Sequence, residues 1–144
     1  MAVILASSCL LGCECRYKGD GCKCDALIKL AESNTIIGVC PEQMGGLPTP
    51  RDPAERQGDK VISCAGKDVT KAYTKGAETA LYFAKLNHVD FAVMKAKSPS
   101  CGKGLIYDGT FTGNKIPGNG VTVELLNAHG IPVFTEDELD QLSL

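Results

Sequence analysis

Three short apolar runs, Val3-Ile4-Leu5-Ala6, Ile36-Ile37-Gly38-Val39 and Phe91-Ala92-Val93-Met94, read as β-strands, and a cysteine follows each. Cys9, Cys40 and Cys101 all lie in turn contexts: Ser-Ser-Cys, Cys-Pro-Glu and Ser-Pro-Ser-Cys-Gly. If the runs belong to one parallel sheet, their carboxyl ends share an edge and the three thiols converge on the crevice there. Three converging thiolates define a metal or cluster site with an open position. Such a site can take a substrate, whereas a fully ligated centre is usually structural or electron-carrying.

The segments between the runs support that sheet. A helical pattern with Ala26, Leu27, Ile28, Leu30 and Ala31 apolar separates the first run from the strand at residues 35–39. A strand–helix–strand unit of this length forms a right-handed parallel crossover, which makes the first two strands neighbours. A long helix fits residues 70–87, with Thr70 as its cap and Ala77, Ala80, Leu81, Ala84 and Leu86 on its apolar face. It leads to a strand at 89–95. A further helix is predicted at about 121–128, ending near Gly130, before a last strand at Ile131–Phe134 and a terminal helix from Glu136. Between these elements, residues 41–58 hold Pro41, Gly45, Gly46, Pro48, Pro50, Pro53 and Gly58 and read as an ordered active-site or lid loop. Lys60–Ser63 with Gly66-Lys67-Asp68 suggests a small hairpin, Ile106–Phe111 a second one around Asp108-Gly109, and 113–120 a Gly-rich loop. Alternating strands and helices place residues 1–144 in the α/β class, as one domain with a mainly parallel sheet.

At 144 residues the chain is long enough to fold without disulfides. A net charge of −2, with Lys and Arg spread along the sequence, leaves no basic stripe for a nucleic-acid duplex. A small or neutral substrate is the better electrostatic match. No apolar run approaches the roughly 18–20 residues that cross a bilayer, so no membrane partner is expected. The amino-terminal Leu-Ala-Ser-Ser-Cys resembles a lipoprotein cleavage site, but its apolar part is too short. The expectation is a cytoplasmic protein. There, eight cysteines serve as metal ligands, catalytic groups or buried thiols rather than disulfides.

Six motifs, in order, carry a resemblance to a known family. They are Ser8-Cys9-Leu10-Leu11-Gly12 with Arg16-Tyr17-Lys18-Gly19; Val39-Cys40-Pro41-Glu42; Gly45-Gly46-Leu47-Pro48-Thr49-Pro50-Arg51; Gly66-Lys67-Asp68-Val69-Thr70; Ser98-Pro99-Ser100-Cys101-Gly102; and Gly120-Val121-Thr122. Together they resemble the thiouracil desulfidase (TudS) family from residue 3 to about 138. The resemblance implies a Rossmann-like domain with helices on both faces of the sheet and a [4Fe-4S] cluster held by three cysteines. By motif these are Cys9, Cys40 and Cys101, the same three that the strand ends select. The implied reaction is non-redox desulfuration of a thiolated pyrimidine or related thiocarbonyl compound, the substrate's sulfur meeting the open iron and water replacing it.

Water attack needs a base, and Glu42, two residues past Cys40, is the candidate. Ser98 and Ser100 are candidates to donate hydrogen bonds to substrate or cluster sulfur. Arg51, Gly120 and Thr122 are candidates for substrate binding, the last two through free N–H groups at a helix start. His88 and His129, beside helix ends, read as structural. Two departures from the family pattern stand out. Lys18 occupies a position that is usually acidic, and Cys13, Cys22 and Cys24 join Cys15, a thiol that relatives with a Cys-Arg-Tyr motif share, to crowd four further thiols into one loop, a pattern able to ligate zinc or copper. The alternatives to an enzyme are therefore a noncatalytic zinc- or cluster-binding module using that loop, and a persulfide carrier.

Overall fold

In the computed structural model, which describes residues 1–142, the elements follow one another as β1 (Val3–Ser7), a 3-10 helix (Ser8–Leu11), α1 (Asp25–Leu30) and β2 (Thr35–Val39). Next come α2 (Pro41–Met44), β3 (Ala54–Gln57), β4 (Lys60–Ser63), α3 (Thr70–Leu86) and β5 (Phe91–Met94). The chain continues through β6 (Leu105–Tyr107), β7 (Lys115–Pro117), α4 (Val121–Ala128), β8 (Val133–Thr135) and a second 3-10 helix (Glu136–Gln141). Strands β2, β1, β5 and β8 lie side by side in that order, all parallel, with Leu5 opposite Ile37 on one side and Ala92 on the other. The chain moves outward from β1 to β2 and then returns to place β5 on the other flank of β1. That reversal opens a crevice at the carboxyl ends of β1 and β5.

Both faces of the sheet are buried, which is why its strands read as continuous apolar runs. Leu5, Ala92 and Met94 point into the layer with α3 and α4, where they meet Ala80, Ala84, Val123 and Leu126. Ile4, Ala6 and Val93 point the other way, onto Leu10 and α1's Leu27, with Leu139 of the second 3-10 helix alongside. Each fully buried Leu, Ile or Val contributes about 1.5–3 kcal/mol, so the alternation along β1 secures both layers. Among the described residues no helix is long and apolar enough to cross a membrane.

Several local expectations change. The proline-rich stretch 41–58 contains two regular elements: Pro41 occupies the first turn of α2, where its preset φ suits a helix start, and Ala54–Gln57 forms β3. The strand β4 pairs with β3 across a turn holding Gly58 (φ 62°), and the expected turn back onto residues 66–68 lies on its other side, where the Ser63 N–H donates to the Lys67 carbonyl at 2.8 Å and Asp68 bridges to Ile62. In the second hairpin β6 pairs with β7, so the loop between the strands is longer than an Asp-Gly turn. Thr70 does not cap α3. Its hydroxyl accepts the Val61 N–H at 2.9 Å, while Asp68 accepts the Thr70 N–H at 2.9 Å. Leu86 is exposed, and Tyr73 joins the buried face of α3 in its place.

The α2–α3 crossing is backbone against backbone. A Cβ on Gly76 would collide with the Pro41 carbonyl, and one on Gly45 with the Ala72 carbonyl. Gly76→Ala therefore sets a helix-propensity gain of about 1 kcal/mol against an overpacking cost of about 1–3 kcal/mol. Because the clash is with backbone, the cost wins: we expect a lower Tm, by roughly 2–4 °C per kcal/mol, in a thermal melt. A Tm at or above the parent's would show that the crossing can relax.

Candidate active site

Each of the three strand-end cysteines is placed by its own turn. Cys9 sits in the 3-10 helix after β1, and its carbonyl accepts the Cys22 N–H at 2.9 Å, which folds the cysteine-rich loop back over it. Cys40 is the residue between β2 and α2. Cys101 lies in the turn after β5, where the Ser98 hydroxyl oxygen accepts the N–H groups of Ser100 (3.1 Å) and Cys101 (3.0 Å). All three line one pocket of about 430 Å³, together with Cys15, Tyr17, Glu42, Arg51 and Tyr73. Cys9 and Cys101 are buried and Cys40 is half-buried.

The pocket favours the protonated thiols of Cys15, Cys40 and Cys101 as long as no cation balances them. The contact with Cys15, followed by burial, pushes the Cys40 thiol up. Burial and the nearby Glu42 push Cys101 up, against hydrogen bonds with Ser7 and Ser100. For Cys15, contact with Cys40 favours the thiolate, but contact with Cys9 and burial outweigh it and raise the group to about 11. Metal binding at these thiols releases their protons, so it depends on pH.

Glu42 faces the same space from the first turn of α2. Its side chain is 14% exposed and lies 3.5 Å from Arg51 Nη2. Burial pushes its carboxyl above the ordinary range, while Arg51 pulls it back. Arg51 is itself held on several sides: Nη2 donates to the Cys15 carbonyl at 3.1 Å, and Nη1 donates to Thr49 Oγ1 at 3.1 Å and the Pro48 carbonyl at 3.3 Å. Its backbone N–H donates to the Tyr17 carbonyl at 2.8 Å. The guanidinium thus pins the proline-rich loop to the cysteine-rich loop and fixes the Glu42 carboxylate. Tyr73, from α3, is pushed up first by burial and then by Glu42.

Of the two serines, Ser98 lines the pocket and Ser100 does not. With its oxygen accepting two backbone N–H groups, the Ser98 hydroxyl keeps its proton for a further partner. Ser100 is fully buried, and its Oγ lies 2.7 Å from Thr122 Oγ1. The expected substrate contacts at Gly120 and Thr122 are taken up inside the protein. The N–H groups of Gly120, Val121 and Thr122 donate to the carbonyls of Gly102, Pro99 and Ser100 at 2.7, 2.8 and 2.9 Å. A Cβ on Gly120 would strike the Ser100 backbone, so glycine lets the Cys101 turn dock on the start of α4.

The four additional thiols do not assemble. Cys13 is exposed, Cys22 and Cys24 are half-buried, and Cys15 turns into the pocket. Among the described residues no group of three or more His, Cys, Asp or Glu side chains is arranged to hold a single metal ion. Cys9, Cys40 and Cys101 likewise line a shared cavity rather than surrounding one point. A soft, all-thiolate donor set spread around a cavity fits a multi-iron cluster.

Other pocket residues gave no local signal in the sequence. Tyr107 comes from the β6–β7 hairpin. That hairpin's loop is tied down by β3, where Glu55 Oε1 accepts the N–H groups of Gly109 and Phe111 at 3.0 and 3.2 Å. Lys95, at the end of β5, pairs with Glu136 at 2.8 Å.

A parallel α/β sheet with three cysteines at adjacent strand ends, opening on a pocket with a half-buried carboxylate, places the chain in the Rossmann-like class. A profile of the 2-thiouracil desulfurase family matches residues 4–138. The chain belongs to that family. It is 42% identical over 150 residues to the uncharacterized protein YbbK of Bacillus subtilis (strain 168), covering 97% of this chain and 99% of YbbK. Its structure is similar to that of a [4Fe-4S]-dependent thiouracil desulfidase, TudS, with a TM-score of 0.94 and 45% identity, covering 99% of this chain and 95% of TudS.

Proposed function

We propose that this chain is a [4Fe-4S]-dependent desulfidase that converts the thiocarbonyl of a small thiolated pyrimidine to a carbonyl, with Cys9, Cys40 and Cys101 holding the cluster. The observation that carries this reading is the meeting of those three thiols and the Glu42 carboxylate in one pocket. It is supported by the family membership and by the likeness to TudS over nearly the whole of both chains. When bound, the cluster supplies a Lewis-acidic iron with an open position, a soft partner for a thiocarbonyl sulfur.

The chain's own residues do the rest. Glu42, oriented by Arg51, takes a proton from water as the water oxygen adds to the thiocarbonyl carbon. The carbon–sulfur bond then breaks, and sulfide leaves with the protons the water brought, so thiocarbonyl plus water becomes carbonyl plus hydrogen sulfide. No net electron transfer is needed. Ser98 donates its free proton toward the substrate. Ser100, Gly120 and Thr122 act as positioning residues that fix the Cys101 turn. Tyr73 and Arg51 line the pocket beside Glu42.

The deciding measurement is iron and acid-labile sulfide per chain in anaerobically purified protein, followed by uracil release from 4-thiouracil. We expect about four of each per chain, and product. Zinc in place of iron would move the assignment to a noncatalytic metal module. Sulfur release by iron-free protein would instead favour a persulfide carrier.

A further inference from the structure

Cys15 has no part in the reaction above, yet it is only 4% exposed and lines the same pocket. Cys9 and Cys40 line that pocket beside it, and both alter the proton affinity of its thiol. Cys40 Sγ also donates to the Cys15 carbonyl at 3.8 Å, across 25 residues of sequence. That carbonyl is held from the other side by Arg51 Nη2 at 3.1 Å, so the two cysteines are kept together by tertiary structure. Of the two neighbours, Cys40 is half-buried and Cys9 is buried, which leaves Cys40 the more open to a dissolved oxidant.

We propose that, in the cluster-free chain, Cys15 and Cys40 form a disulfide on exposure to a hydroperoxide, and that this makes cluster assembly conditional on a reducing environment. The inference rests on the reading of Cys40 as a cluster ligand. The chemistry proceeds in two steps. Hydrogen peroxide oxidises the Cys40 thiol to a sulfenic acid and is reduced to one water. The Cys15 sulfur then attacks the Cys40 sulfur, the S–S bond forms, and the sulfenic oxygen leaves as a second water with the Cys15 proton. Two thiols lose two electrons and two protons in all. A dithiol reverses the change and restores the ligand. In the loaded protein Cys40 is occupied by iron, so the pair is unavailable.

The test uses the full cluster-free chain, prepared anaerobically and treated with hydrogen peroxide. Free thiols are alkylated, disulfide-linked peptides are mapped by mass spectrometry, and iron uptake is measured with ferrous iron and sulfide before and after dithiothreitol. We expect a peptide pair linked through Cys15 and Cys40, with iron uptake falling about tenfold until dithiothreitol restores it. The Cys15→Ser chain should keep its iron uptake after the same dose. Links confined to other cysteines, or a Cys15→Ser chain as sensitive as the parent, overturn the proposal. So does an untreated Cys15→Ser chain that takes up no iron while the parent does, since Cys15 is then itself a ligand. If the untreated parent takes up no iron, the cluster reading fails first and the proposal falls with it.

Discussion

Replacing Cys101 by serine is expected to give a folded protein that retains almost no iron and shows no detectable release of uracil from 4-thiouracil. Serine is nearly the same size as cysteine, so the packing of this buried turn is kept. The loss is chemical: a neutral hydroxyl is a hard, weakly acidic group and cannot replace a soft anionic thiolate on iron. Cys9→Ser and Cys40→Ser should behave alike, because all three thiols line the pocket. Cys64→Ser, at an exposed thiol outside the pocket, should load iron like the parent. Iron, acid-labile sulfide and a thermal melt on each variant decide the matter. A Cys101→Ser chain carrying the parent's iron would sink the ligand assignment.

Glu42→Gln should leave iron content near the parent's while lowering turnover roughly 10²–10⁴-fold, the usual contribution of a positioned acid or base. Glutamine keeps the shape of the side chain and removes its capacity to take a proton. The partner it leaves behind is not stranded. Arg51 still donates to the carbonyls of Cys15 and Pro48 and to Thr49, so its N–H groups keep hydrogen-bond partners. The two readouts separate the roles: loss of activity with full iron marks a catalytic group, whereas loss of both marks a structural one. Near-normal turnover would remove Glu42 from the mechanism.

Much of this protein is legible in its sequence. The bounds of β2 and α4 match the expected residues, and those of β1 and α3 agree to within one, because apolar periodicity and flanking turn residues act locally. The convergence of Cys9, Cys40 and Cys101 follows once the three runs before them are accepted as parallel strands, since a parallel sheet carries all its carboxyl ends on one edge. Glu42 is readable for the same reason, being two residues past Cys40.

What the sequence leaves undecided depends on contacts between residues far apart in the chain. Lys60–Ser63 is legible as β4, but its partner β3 lies in a proline-rich stretch, is partly polar, and is identified only by pairing with β4. The N–H groups at the start of α4 look free in the sequence, but they are taken by the Cys101 turn because Gly120 lets the two backbones touch. Arg51, which reads in the sequence as a candidate substrate contact, becomes the clamp on Glu42 once two loops meet around it. Cys15 looks like one of four crowded loop thiols. Folding separates it from the other three and sets it against Cys9 and Cys40. Local propensity and chain direction determine the sheet and its row of thiols, whereas packing across the crevice decides which side chains surround them.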